Sequence, residues 1–140
     1  KYPDINAINR PDARFVLVGD SPSETLARVL MHDFDLPNLS AQPFEAVASP
    51  EDVMQSFHNA TANSPNIYVL WEPYVSQLLR EQDMHILVDS SRFTGYIVDA
   101  LVVSRSYLMK NPATVEKVLE SYFRALYAFN TSEEMTKLVV

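Results

Sequence analysis

The sequence predicts an α/β fold, a three-layer sandwich with a mostly parallel sheet, and three observations predict it. Short, wholly apolar runs such as Phe15–Val18 carry the pattern of strands covered on both faces. Each of three strand-sized runs leads directly into an X-Pro helix start, at Ser21-Pro22, Ser49-Pro50 and Glu72-Pro73. A strand-then-helix order repeated in this way builds right-handed βαβ crossovers.

Taken in order, residues 1–12 form a lead-in segment whose Pro3 and Pro11 discourage regular structure, and a single α/β lobe is expected over 13–140. The strand Phe15–Val18 ends at Gly19-Asp20. A helix follows, with Ser21 as cap, Pro22 in the first helical position and Glu24 completing a capping box. Leu26, Val29, Leu30 and Phe34 give it an apolar face, and Leu36-Pro37 stops it. The run Phe44–Ala48 leads into a second helix burying Val53, Met54 and Phe57, and Ile67–Trp71 into a third burying Val75, Leu78 and Leu79. Two further strands are expected at Met84–Val88 and Ile97–Val103, with the stretch Leu101–Ser104 antiparallel to the rest. Asn111-Pro112 caps a long helix with Val115, Val118, Leu119, Tyr122 and Leu126 on one face. Tyr122, Phe123, Tyr127 and Phe129 on that helix read as core. The predicted core comprises Leu17, Leu30, Val69, Leu78, Val102 and Leu119. Thr131–Glu134 resembles one more capping box, and the run to Val140 reads as a helix cut in mid-course. With no Met before Lys1, the expectation is a piece of a longer protein.

Composition narrows the function classes. A chain of 140 residues, 47% hydrophobic and 21% charged, fits one globular domain and excludes a disordered tail. No apolar run approaches the roughly 20 residues of a membrane-spanning helix. A formal charge of −7 disfavours nucleic acid and anionic lipid as partners. The absence of Cys removes disulfides, thiol catalysis and thiolate metal sites. Two glycines in the whole chain, Gly19 and Gly95, cannot write a Gly-rich dinucleotide turn or a phosphate loop, so no cofactor is expected. His32, His58 and His85 fall on different elements without metal-ligand spacing. No nucleophile turn stands in the sequence, and catalysis has no positive sign. A receiver-type phosphotransfer domain needs an acidic cluster and a late Lys, which Asp89 and Lys110 satisfy poorly.

In an open parallel sheet ligands bind beyond the carboxyl ends of the strands. Two turns therefore stand out. Ser21, Pro22 and Ser23 open the first helix, where hydroxyls and free amides can hold an anion or polar group, although Ser21 can equally serve as a cap alone. Trp71, Glu72 and Tyr74 offer stacking area, an acceptor and a donor within one turn, with Glu72 alternatively only complementing the helix dipole. Successive turns of a parallel sheet open toward the same edge, so these residues are expected to meet there.

The strings Phe15-Val-Leu-Val-Gly-Asp-Ser-Pro-Ser-Glu-Thr-Leu26, Val69-Leu-Trp-Glu-Pro-Tyr74 and Gly95-Tyr-Ile-Val-Asp-Ala-Leu-Val-Val-Ser104 together resemble the second lobe of periplasmic solute-binding proteins of ABC importers. The similarity is to the nitrate, sulfonate and thiamine-precursor group, nearest to a bacterial phosphate-type branch, some of whose members are fused to an OmpA-like domain. It covers about residues 13–140. The resemblance implies one lobe of a type 2 periplasmic-binding-protein fold that forms one wall of a cleft, with Ser21, Pro22 and Ser23 and the turn Trp71, Glu72 and Pro73 as ligand contacts, next to Tyr74, and with Asp99, beside Tyr96, as the acidic position in the strand returning toward the hinge. It implies a small-molecule solute, polar or anionic, a first lobe of the same protein, ABC membrane subunits as partners, and a periplasmic or cell-envelope location. The enzymatic thiamine-precursor branch relies on a Cys-rich segment, which this chain lacks, so the implied function is noncatalytic. The alternative is a regulatory or protein-interaction module of the cell envelope that keeps the same fold.

Overall fold

The computed structural model describes residues 3–81 and 84–132. The chain divides into two compact units, Lys1–Val98 and Asp99–Val140, a boundary the sequence reading does not mark. Each is described by itself.

The first unit is mixed α/β. Its sheet has three strands, β1 (Arg14–Val18), β2 (Phe44–Val47) and β3 (Asn66–Val69), in the order β2-β1-β3, all parallel. Phe15 sits opposite Phe44 on one side and Ile67 on the other. Helix α1 (Pro22–Asp33) and helix α2 (Pro50–Asn59) cover opposite faces, because alternate β1 side chains point opposite ways. Phe15 and Leu17 pack with Ala27 and Leu30 of α1, while Val16 and Val18 pack with Val53 of α2. This is why β1 is apolar at every position after Arg14: both of its faces are core.

Local chemistry sets the helix starts. Ser21 Oγ accepts from the Ser23 N–H at 3.2 Å and donates to the Val18 carbonyl at 2.6 Å, so one hydroxyl joins strand end to helix start. The capping box closes one residue early. Glu24 Oε2 accepts from the Asp20 N–H at 2.8 Å, and Asp20 takes a left-handed φ of 52° that brings its amide round. Ser49 caps α2 by accepting from the Asp52 N–H at 3.2 Å, with Pro50 in the first turn. Helix α1 ends at Asp33, with Phe34 as its C-cap, before Leu36-Pro37 is reached. Helix α3 (Tyr74–Leu78) is a five-residue element with Pro73 as its N-cap, after a cis Glu72–Pro73 bond; Leu78 is buried and Leu79 is exposed. Gly19 lies where β1 and β2 come close, since a Cβ there would stand 3.3 Å from that of Ala46.

Several expectations are corrected. The lead-in segment is not irregular. Asp4 caps a 3-10 turn over Ile5–Ile8, and Ile8 is wholly buried in the α1-side core, so the segment closes the end of that core. No strand forms at Met84–Val88, where Leu87 and Val88 pack against the α1-side core without joining a ladder. No strand forms over Ile97–Val103 either. Those side chains have strand propensity, but a strand needs a hydrogen-bonded neighbour and a covered face, and Val102 is 91% exposed. Val69 is half-buried, on a strand that pairs on one side only.

The described secondary structure of the second unit is helical and begins at Arg105. It contains α4 (Arg105–Lys110), which the sequence reading missed, and α5 (Pro112–Thr131). Ser104 caps α4 by accepting from the Tyr107 N–H at 3.2 Å. Asn111 does not cap α5 with its side chain; its Nδ2 donates instead to the Tyr107 carbonyl. The α5 residues Leu119, Tyr122, Phe123 and Tyr127, expected as core, are exposed, Phe123 at 62% and Tyr127 at 72%. Among the described residues, no element of this unit buries the apolar side of α5. Thr131 ends α5, its Oγ1 donating to the Tyr127 carbonyl, and the capping box expected to continue to Glu134 lies outside the described residues.

Candidate functional site

Sheet topology locates the site. The connection from β1 runs through α1 to β2, and the connection from β2 runs back through α2 across β1 to β3. The winding therefore reverses between β1 and β3, the position beyond whose carboxyl ends open parallel sheets hold ligands. The turn after β1 holds Gly19 to Ser21, with Pro22 and Ser23 opening α1, and the turn after β3 holds Leu70 to Pro73.

A cavity of about 470 Å³ lies on the β1 side of this edge. Asp20, Ser21, Pro22, Glu24, Thr25 and Arg28 form its α1 wall, and Tyr96, Ile97 and Val98 form the other. The second wall is held in place by the core. Phe93 is buried in the α1-side cluster, and the Tyr96 N–H returns to the Phe93 carbonyl at 3.3 Å. Gly95 makes that return possible with a φ of 89°, which a side chain would strain.

The electrostatics of the α1 wall centre on Glu24. Its carboxylate accepts the Asp20 N–H and, through Oε1, both Nε and Nη2 of Arg28 at 2.9 and 2.5 Å. These bonds, the backbone one first, hold Glu24 below the ordinary carboxylate range. Arg28 also lies over the Phe44 ring, 4.8 Å from its centroid, so its plane is fixed from two sides. The Arg28 Nη1 group and the Asp20 carboxylate make no hydrogen bond or ion pair among the described residues.

The structure thus brings Ser21, Pro22 and Tyr96 together and leaves other predicted residues apart from them. Ser23 does not line the cavity; it is buried in the first turn of α1. Trp71, Glu72 and Tyr74 stand at the neighbouring turn and do not line the cavity either. Glu72 Oε2 accepts from the Ser76 N–H at 3.2 Å, a local cap on α3. The Tyr74 hydroxyl donates to Glu51 Oε1 at the start of α2, which lowers the Glu51 pKa and raises that of Tyr74. That hydroxyl is therefore spent on joining α3 to α2. Asp99 belongs to the second unit.

Sequence reasoning missed Asp20, Thr25 and Arg28 as site residues and saw Glu24 only as a cap. The signal was present in the i,i+4 spacing of Glu24 and Arg28, which reads as an ordinary exposed ion pair until Tyr96 is placed opposite it. Among the described residues there is no group of three or more His, Cys, Asp or Glu able to hold a metal, and no helix is long and apolar enough to cross a membrane. Comparison with protein-family models, with curated proteins and with solved structures gives no match to this chain.

Proposed function

We propose that this chain is a noncatalytic solute-binding lobe of the kind used by ABC importers, one wall of a cleft that closes on a small polar solute. One observation carries the reading: the cavity at the first βα turn, on the carboxyl edge of a parallel sheet, lined by charged, hydroxyl and aromatic side chains. The resemblance of residues 13–140 to the second lobe of a type 2 periplasmic binding protein supplies the rest. On that reading the partners are a first lobe of the same protein and the membrane subunits of a transporter, and the setting is the periplasm or cell envelope.

A single wall leaves the ligand open to water on its other side and forfeits the contacts that closure provides. The 140-residue chain alone should therefore bind weakly. The test is a thermal-shift screen of the complete protein, expressed with its flanking sequence, against small anions, amino acids and sugars. One solute class is expected to raise the melting temperature in a concentration-dependent way. A screen in which no class does so overturns the reading, and submicromolar affinity of the 140-residue chain alone for any oxyanion overturns its half-site form.

A second reading is favoured by a different observation. The unit after Val98 exposes large apolar side chains along α4 and α5, including Met109, Phe123 and Tyr127. Contiguous exposed apolar surface marks a protein contact. A regulatory or assembly module of the cell envelope would use that surface and leave the cavity empty.

A further inference from the structure

We infer that the cavity beside α1 takes a small zwitterion, a molecule with an ammonium and a carboxylate on one apolar skeleton; the inference rests on the solute-binding reading and names the ligand class of the same site. Arg28 receives the carboxylate, and Asp20 with Glu24 balances the ammonium.

Charge is the first argument. The ionised groups on the cavity wall are Asp20, Glu24 and Arg28, two negative and one positive. A neutral zwitterion leaves that balance unchanged, whereas a dianion adds two more negative charges to an already negative wall. The amides at the start of α1 are largely engaged already. Pro22 has no N–H, the Ser23 N–H is taken by Ser21 Oγ, the Thr25 N–H by the Ser21 carbonyl, and the Asp20 N–H by Glu24. The Glu24 carboxylate, held against the Asp20 N–H beside this turn, adds repulsion against a second anion there.

Donor geometry is the second argument. Arg28 spends Nε and Nη2 on a single oxygen of Glu24, which leaves Nη1 for another acceptor while the ion pair persists. The Phe44 ring beneath the guanidinium keeps its planar fork from swinging away. A ligand carboxylate fits that fork. The third argument is shape: Pro22, Tyr96, Ile97 and Val98 give the cavity an apolar side on which a hydrocarbon skeleton can lie, and its volume falls within the range of small-molecule sites.

The test uses the 140-residue chain labelled with nitrogen-15 and four probes at equal millimolar concentration: L-leucine, L-leucinamide, 4-methylpentanoate and inorganic phosphate. The first three share one skeleton and differ only in which charges they carry. L-leucine should shift the amides of residues 20–28 and of Tyr96 in a saturable way, with each half-probe about tenfold weaker, the scale of one charge-assisted contact. Arg28→Lys should weaken L-leucine and 4-methylpentanoate and leave leucinamide unchanged. Asp20→Asn should weaken L-leucine and leucinamide and leave 4-methylpentanoate unchanged. Phosphate or either half-probe matching L-leucine at these amides overturns the zwitterion and leaves the solute-binding cavity standing. Silence of these amides with all four probes overturns the inference, and the solute-binding reading then depends on the thermal-shift screen of the complete protein.

Discussion

The same chemical change made at two valines separates the core from the surface. Val53 is fully buried, packed with Val16 and Val18 and flanked by Val47, Tyr68 and Leu70, whereas Val102 is 91% exposed. Val53→Ala removes the equivalent of two methylenes, or about 1.6 kcal/mol of transfer free energy. The hole left in a site closed on every side adds about 1 kcal/mol. Alanine's better helix propensity in α2 returns about 0.5 kcal/mol. The net cost is about 2 kcal/mol, a shift of roughly 1 M in the urea midpoint at an m-value of about 2 kcal/mol/M. Trp71 is the only tryptophan and lies in the same unit as Val53, so its fluorescence follows that unfolding directly. Val102→Ala, read by far-ultraviolet circular dichroism, should move the midpoint by less than about 0.25 M, the ordinary scale of a surface change. Equal shifts for the two variants, or no shift for Val53→Ala, would refute the burial pattern and with it the assignment of α2 to the second face of the sheet.

Three further outcomes follow from individual bonds. Ser49→Ala removes the acceptor for the Asp52 N–H and should cost about 1 kcal/mol by urea titration, with Ser49→Asp recovering most of it; an unchanged Ser49→Ala midpoint would show that the cap contributes nothing. Tyr74→Phe removes the hydrogen bond that lowers the Glu51 pKa and raises that of Tyr74. A lowered carboxylate stabilises above its unfolded pKa and loses that contribution as pH falls through its folded one. A raised phenol stabilises below its unfolded pKa and loses the contribution as pH rises through its folded one. The stability gap between wild type and Tyr74→Phe should therefore be flat near neutrality and close at both acid and strongly alkaline pH; a gap that persists in acid would refute the Glu51 partnership. Arg28→Ala removes one of the two partners that lower the Glu24 pKa, so a carbon-13 titration should find that pKa moved upward but still below the ordinary value, because the Asp20 N–H remains.

What the sequence shows and what it hides divide along the range of the forces involved. The core of the first unit was legible because its code is local: an apolar run for β1, a Ser-Pro cap for α1 and again for α2, and a breaker between each pair. A strand, however, exists only with a neighbour. Ile97–Val103 carries every propensity of one, and nothing in its own residues tells whether an edge stands ready to receive it. The α5 aromatics failed for the same reason, since helical spacing shows which side is apolar and not what covers it. At the site, Ser21 and Pro22 were found because turns of a parallel sheet share an edge, Tyr96 entered only through the family resemblance, and Arg28 was missed because a charged residue on a helix reads as solvated surface. Ser23 shows the opposite failure, a hydroxyl read as a ligand contact that is buried in the first turn of α1.

The position of β1 between its partners also sets an order of assembly. Phe15 meets Phe44 after a closure of roughly 30 residues and Ile67 after one of roughly 50, a difference of about 0.5 kcal/mol in chain entropy that favours the first pairing. During synthesis from the amino end, β1, α1 and β2 are complete before α2 exists. For that interval the Val16 and Val18 face of the central strand stands bare, and it is covered only when Val53 arrives. The strand most deeply buried in the finished protein is thus the one exposed longest on the way there, and it is where a nascent chain of this protein is most open to capture by a chaperone or by another copy of itself.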